Sequence, residues 1–236
     1  MALPRMDSVT YTLKLPSSAE EVKYRPFTVK EQKALLLANE SEDNAQVQEA
    51  IGNVISNCTF EKIDPWVLPS FDVEYVFLQV RSKSVGESVD IQVTCPDDNE
   101  TMVPTKIDLS KVNVEMHVGH TNEIDITDTI KIIMKYPTLK DLGRIQQFNA
   151  SETGQLFELV ETCIHQVIDG EEIHQDVDMG KEDLNGFIES LTNPQFEKIT
   201  AFFETMPKLS HVVKVKNPNT GKSGEVVLEG FQSFFE

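Results

Sequence analysis

The chain predicts an α+β fold made by tandem duplication of one unit: a strand hairpin, a helical segment and a second hairpin. Three observations predict it. Apolar and polar residues alternate at 9–15, 89–109 and 213–228, the period of a half-buried strand. Between these stretches, apolar residues recur at i, i+3, i+4 and i+7, the period of a helix face. Finally, YRPFTVKEQKALLLANES (24–41) is written again as YPTLKDLGRIQQFNASE (136–152), so that Thr28 falls on Thr138, Val29 on Leu139, Lys30 on Lys140 and Glu31 on Asp141.

The register persists. Asn39, Ser41 and Glu42 fall on Asn149, Ser151 and Glu152, and Val47, Ala50 and Val54 on Phe157, Val160 and Ile164. A spacing of 110 residues held over two helices marks an internal repeat. The expected domains are 1–110 and 111–236, the second adding an acidic loop and an extra helix at about 169–192.

The elements follow in order. Val9, Tyr11, Leu13 and Leu15 share one strand face, Pro16–Glu21 turns, and Val22–Arg25 returns. Pro26 keeps Arg25 out of the helical region. Thr28 then stands as an N-cap, with Glu31 completing a capping box. Asn39–Ser41 is expected to close this helix and cap the next, which runs over 43–58 with Val47, Ala50, Ile51, Val54, Ile55 and Cys58 on one face. Two proline-containing breaks at 64–70 precede a third helix that turns Val73, Val76, Phe77 and Val80 inward. Val89 to Cys95 and Val103 to Leu109 then form a hairpin around Pro96–Asn99.

In the second half, 112–118 and 124–135 read as extended, and 139–148 and 152–168 as helices. Asp169-Gly170 is a turn and 171–180 an exposed acidic loop. A short helix carries Leu184, Phe187, Ile188 and Leu191, and the next, from Pro194, buries Phe196, Ile199, Phe202 and Phe203. The closing hairpin sets Val213 and Val215 against Val226 and Leu228. Its tip, Asn217-Pro218, aligns with Cys95-Pro96 at a spacing of 122, the drift falling in the inserted loop and helix.

The formal charge is −18. A chain so acidic gains nothing from counterion release on a nucleic acid, and the same argument excludes an anionic membrane surface. No apolar run approaches the roughly 18 residues of a membrane span. The N-terminus carries no secretory apolar stretch, so the chain is expected to stay in the cell that makes it. Three cysteines (Cys58, Cys95, Cys163), two of them on apolar helix faces, read as reduced core thiols.

The hairpin tips have the outline of zinc knuckles, but a structural zinc takes four ligands from paired C-x₂₋₄-C turns. Cys95 stands alone and the second tip has no thiol, so neither zinc nor any other cofactor is expected. His117 and His120 are expected to face solvent. Gly221-Lys222-Ser223 ends like a phosphate loop, but Lys216 stands where the first glycine belongs and a strand follows. Asp176 and Asp178 begin a calcium loop that lacks its later ligands. With no nucleophile or metalloprotease motif, the chain reads as a non-enzyme. A hydrolase would require paired carboxyls held roughly 5–9.5 Å apart in a cleft.

YRPFTVKEQKALLLANES, LPSFDVEYVFLQVRSKSVGE (68–87) and the terminal VVLEGFQSFFE together resemble the baseplate hub subunits and hub assembly proteins of T-even-type contractile-tailed phages. The resemblance implies a hub assembly protein, a chaperone or assembly factor that binds hub or tape-measure components. The alternative it implies is a structural hub subunit retained in the virion. Other phage tail and baseplate hub proteins would be the partners, in the host cytoplasm during assembly or in the tail baseplate, with homo-oligomers left open. The resemblance implies cysteine pairs at the hairpin tips in some members of the family, a pattern from which this chain departs at Pro96-Asp-Asp and Asn217-Pro-Asn. Candidate partner-binding residues are Tyr24, Arg25, Phe27, Lys30, Arg81 and Lys83, with Phe231, Phe234 and Phe235 at the C-terminus, because arginine and aromatics are enriched at binding hot spots. Two of these have structural readings: Phe27 as a hydrophobic staple and Arg25 as the partner of a local carboxylate. The aromatic terminus either packs back on its own domain or serves as a binding tail.

Overall fold

Pro26 and the Thr28/Glu31 pair punctuate the chain as expected. In the computed structural model, which describes residues 8–41, 43–147, 151–230 and 233, strand β1 (Tyr11–Lys14) pairs antiparallel with β2 (Glu21–Tyr24) before helix α1 (Val29–Glu40) begins. Helices α2 (Asn44–Cys58) and α3 (Ser70–Val85) follow, then the hairpin β3 (Ser88–Thr94) and β4 (Met102–Asp108) and the short strand β5 (Asn113–Glu115). The second half runs β6 (Glu123–Asp125), β7 (Ile130–Met134), α4 (Leu139–Gln147), α5 (Glu152–Cys163), β8 (Ile164–Asp169) and β9 (Glu172–Gln175). It ends with α6 (Lys181–Ser190), α7 (Asn193–Thr205), β10 (Lys208–Lys216) and β11 (Ser223–Glu229). The fold class is α+β.

The contacts divide the chain into two units. One joins everything up to Glu115 with Lys208 onward, and the other is Met116–Pro207. These units do not share the 1–110 and 111–236 boundary, because β10 and β11 bury their apolar faces in the first unit. Leu209, Val213, Val215 and Leu228 share a core with Leu78, Ile91, Val93, Cys95 and Ile107. Strand β10 lies between β11 and β5, while β3 and β4 pair with each other. Val89 stands opposite Ile107 and Val93 opposite Val103, so these two pairs are apolar on both strands, while Ile91 stands opposite Thr105. Pro104 is tolerated in β4 because that strand has one paired edge and needs no second row of donors.

The second unit is a four-stranded antiparallel sheet in the order β6-β7-β8-β9, with a core that adds Val160, Leu184, Ile188, Ile199 and Phe202 from its helices. Here three expectations are corrected. The helix expected over 152–168 stops at Cys163, and Ile164–Asp169 is a strand. Ile164 and Val167 fit a helix face equally well, but pairing with β7, from Ile130↔Asp169 to Met134↔Ile164, satisfies the backbone and decides the matter. The expected loop at 171–180 contains the edge strand β9, exposed throughout, joined to β8 through Gly170 at φ 60. The extended segment 124–135 is itself a hairpin, β6–β7, while β5 pairs with β10 instead of with it.

The order hairpin, two helices, a further helix, hairpin therefore occurs twice, the second time with β8, β9 and α6 inserted. Local bonds recur with it. The Arg25 N–H donates to the Cys58 carbonyl (2.9 Å) and the Lys135 N–H to the Cys163 carbonyl (2.8 Å). Both cysteines are buried and free, and burial pushes each thiol up to about 12. Thr28 donates its N–H and hydroxyl to Glu31, as Thr138 does to Asp141 at 3.1 and 2.7 Å. One cap differs from expectation: Asp43, not Ser41, caps α2, accepting from the Ala45 N–H at 2.9 Å, while Ser41 donates back to the Ala38 carbonyl.

Candidate partner-binding surface

The β2–α1 junction is held from three sides. Arg25 donates to Glu31 Oε1 at 2.8 Å and to the Pro26 carbonyl at 2.9 Å. The Phe27 N–H donates to Ser84 Oγ on the last turn of α3 at 2.8 Å. Burial alone would raise the Glu31 carboxyl, but the Arg25 and Thr28 hydrogen bonds and the Arg25 charge outweigh it and hold the group down at about 2. Glu31 thus caps the helix, pairs with Arg25 and lies buried at once.

That anchoring fixes α1 at its start without burying its length. Its described buried residues are Glu31 and Ala38. Val29, Leu36 and Leu37 stand 79, 57 and 56% exposed. The cause is geometric: consecutive helical residues advance by about 100°, so Leu35-Leu36-Leu37 sweeps more than half the circumference and one core cannot take all three. Beside this apolar surface, an open cleft of about 340 Å³ runs between α1 and α2. Its lining combines apolar Ala34, Leu37, Ala38, Ala50 and Val54 with polar Lys30, Glu31, Gln46, Glu49, Asn53 and Asn57. An open trough of mixed apolar and polar lining, with exposed Leu37 on it, has the character that an amphipathic helix would match.

The sequence candidates divide on this background. Lys30 lies on the cleft. Tyr24 is only 3% exposed, because strand alternation turns it inward, where its ring meets Tyr11 at 5.6 Å; it belongs to the core. Arg25 is committed to Glu31. Phe27 and Arg81 are half-buried, and burial lowers the Arg81 guanidinium. Lys83 pairs with Glu87 and sits over the Tyr11 ring at 5.3 Å. Phe231, Phe234 and Phe235 lie outside the described residues. Sequence reasoning missed Val29, Leu36 and Leu37, although three successive leucines in a 12-residue helix were the available signal.

His120, expected at the surface, is half-buried in the second unit. Its ring nitrogens meet Thr205 Oγ1 (3.0 Å) and the Tyr136 hydroxyl (2.9 Å), and Phe202 packs at 5.1 Å. Burial, then the nearby His117, lowers its pKa. These contacts are all between side chains of the second unit, and they read as packing.

A family model described as T4 bacteriophage base plate protein matches residues 6–236. No curated protein and no solved structure matched the chain.

Proposed function

The chain belongs to the T4 bacteriophage base plate protein family, and on that premise we propose that it is a non-enzymatic hub assembly protein that binds hub or tape-measure components through the α1–α2 face. The observation that carries this reading is the exposure of Val29, Leu36 and Leu37 on α1, beside the α1–α2 cleft. Val29 and Leu36, seven residues apart, fall on one line of the helix with Leu37 beside it, and exposed apolar side chains grouped on one side of a helix are a surface that a partner can cover. The net charge of −18 supports the reading from a distance, because it keeps the unpartnered chain dispersed and draws in basic partners. The recurring element order supports a common origin for the halves 1–110 and 111–236, with the closing hairpin of the second packed into the unit of the first.

A second reading, a hub subunit retained in the virion, is favoured by the family description, which names a base plate protein. Two measurements separate the possibilities. Tagged full-length chain and the variant Leu36→Glu/Leu37→Glu are purified from infected cells, and the co-purifying tail proteins are identified by mass spectrometry. The variant is expected to melt like the parent and to lose those proteins; unchanged capture would remove α1 from the interface. Immunoblots of purified particles then decide the role. Absence from particles that contain the captured partners supports the assembly factor, and stoichiometric presence supports the subunit.

A further inference from the structure

Two hairpins of the first unit end in one four-residue form: Cys95-Pro96-Asp97-Asp98 on β3–β4 and Asn217-Pro218-Asn219-Thr220 on β10–β11. Their backbones fold alike. The Cys95 N–H bonds the Thr101 carbonyl (2.8 Å) and the Asn99 N–H returns to the Cys95 carbonyl (3.0 Å). In the second tip the Asn217 N–H bonds the Lys222 carbonyl (2.8 Å) and the Gly221 N–H returns to Asn217 (2.9 Å). The equivalent residues Asn99 and Gly221 both take the left-handed conformation, φ 55 and 75.

The tips also meet. Asn217, 1% exposed, donates its amide to Asp97 Oδ1 (2.9 Å) and Asp98 Oδ2 (2.8 Å). Its oxygen accepts from the Asn219 and Thr220 N–H groups of its own tip at 2.8 and 3.2 Å, so this buried side chain uses both ends. Thr220 Oγ1 donates to Asp97 at 2.5 Å, and Asn219 Nδ2 to Thr101 Oγ1 at 3.1 Å. Pro96 lies so close over Gly224 that a Cβ there would come within 2.5 Å of its ring. Cys95 is buried at the base of this contact, where burial and then the Asp97 and Asp98 charges raise its thiol.

Two facing turns, each offering positions i and i+3, form the frame of a four-ligand zinc centre. The residues at those positions are Cys95, Asp98, Asn217 and Thr220, and they do not fit the ion. One thiol stands where such a centre uses several, the Asn217 amide points an N–H at Asp98, and the Thr220 hydroxyl is turned onto Asp97. We infer that the paired tips are a metal-knuckle frame run on hydrogen bonds, in which the Asn217 carboxamide joins the two turns that an ion would otherwise join. The closing hairpin is thereby held to β3–β4 without metal, and the knuckle geometry persists under a changed donor set.

The test uses the full chain. Asp98→Cys/Asn217→Cys/Thr220→Cys, with Cys95 kept, is titrated with Co²⁺. Tetrahedral cobalt–thiolate absorption saturating at an equimolar ion, and a Tm that rises with Zn²⁺, support the inference. A folded variant without that absorption overturns it. If the triple variant does not fold, Asn217→Asp decides. Placing a third carboxylate against Asp97 and Asp98 is expected to lower Tm at about pH 7 by several degrees. Part of that loss should return at about pH 4, as the added carboxylate protonates. An unchanged Tm, or a loss indifferent to pH, overturns the inference. So does a melting temperature of the unmodified chain that falls in the presence of EDTA.

Discussion

Replacing Glu31 by Gln isolates the charge at the β2–α1 junction, because glutamine serves equally well at the third position of a capping box. The folded carboxyl titrates at about 2 against an ordinary 4.5. At about 1.4 kcal/mol per pKa unit, this sets a ceiling of roughly 3.5 kcal/mol on what ionisation contributes at pH 7. Arg25 retains some solvent access, which screens the pair and brings the expected loss to about 1.5 kcal/mol. The pKa is depressed on folding, so the contribution is complete above pH 4.5 and vanishes as pH falls toward 2. About two-fifths of the gap should remain at roughly pH 3. Urea unfolding followed by fluorescence provides the assay, since Trp66 is the single tryptophan and lies in the first unit over Gly52. A gap between parent and variant that stays level from about pH 3 to pH 7, or lies below about 0.5 kcal/mol at neutrality, would refute the coupling of Arg25 to Glu31.

Further outcomes follow from single contacts. Gly52→Ala places a Cβ 2.7 Å from the Trp66 ring, so it should destabilise the first unit by about 1–2 kcal/mol in the urea assay, although alanine ordinarily favours a helix interior. A stabilised variant would refute the clash. His120 is held neutral by burial, so its contribution is whole above the unfolded pKa of 6.5 and is lost as pH falls below it toward the depressed folded value. His120→Phe should therefore flatten the acid limb of the second unit's stability, read by hydrogen exchange at Ile132 and Met134. Truncation after Pro207 removes Leu209, Val213, Val215 and Leu228 from the first core, so the Trp66 transition should weaken or disappear while exchange protection at Ile132 and Met134 persists. Simultaneous loss of both signals would contradict the division into two units.

Where the determining interaction was local, the sequence was legible. Thr28 and Glu31 lie three residues apart, and so do Thr138 and Asp141; their bonds form within one turn of chain. The strand alternation of 89–109, with the turn residues Pro96–Asn99 between its halves, was enough to place the hairpin observed. Ile164–Asp169 failed for the opposite reason: its spacing suited either helix or strand, and β7, some 30 residues earlier, supplied the hydrogen bonds that settled it. His120 looked like half of a solvent-facing pair until Thr205 and Tyr136, remote in sequence, closed around it. Tyr24 and Arg25 have hot-spot chemistry, yet one is turned into the core and the other bound to Glu31. Composition identifies what a side chain can do; burial decides whether it is free to do it.

By itself the sequence determined the repeated β–Pro–helix segment, the capping chemistry that starts each copy, and the type of most elements, β8 and β9 excepted. These rest on bonds between residues a few positions apart, available in any tertiary setting. Only the tertiary structure decided that β10 and β11 complete the core begun by β3 and β4, that Asn217 joins two turns across 119 residues of chain, and that α1 keeps Leu36 and Leu37 in water. Each depends on which surfaces meet after long loops close, and the competition for burial among distant apolar faces is not written in any short window of residues.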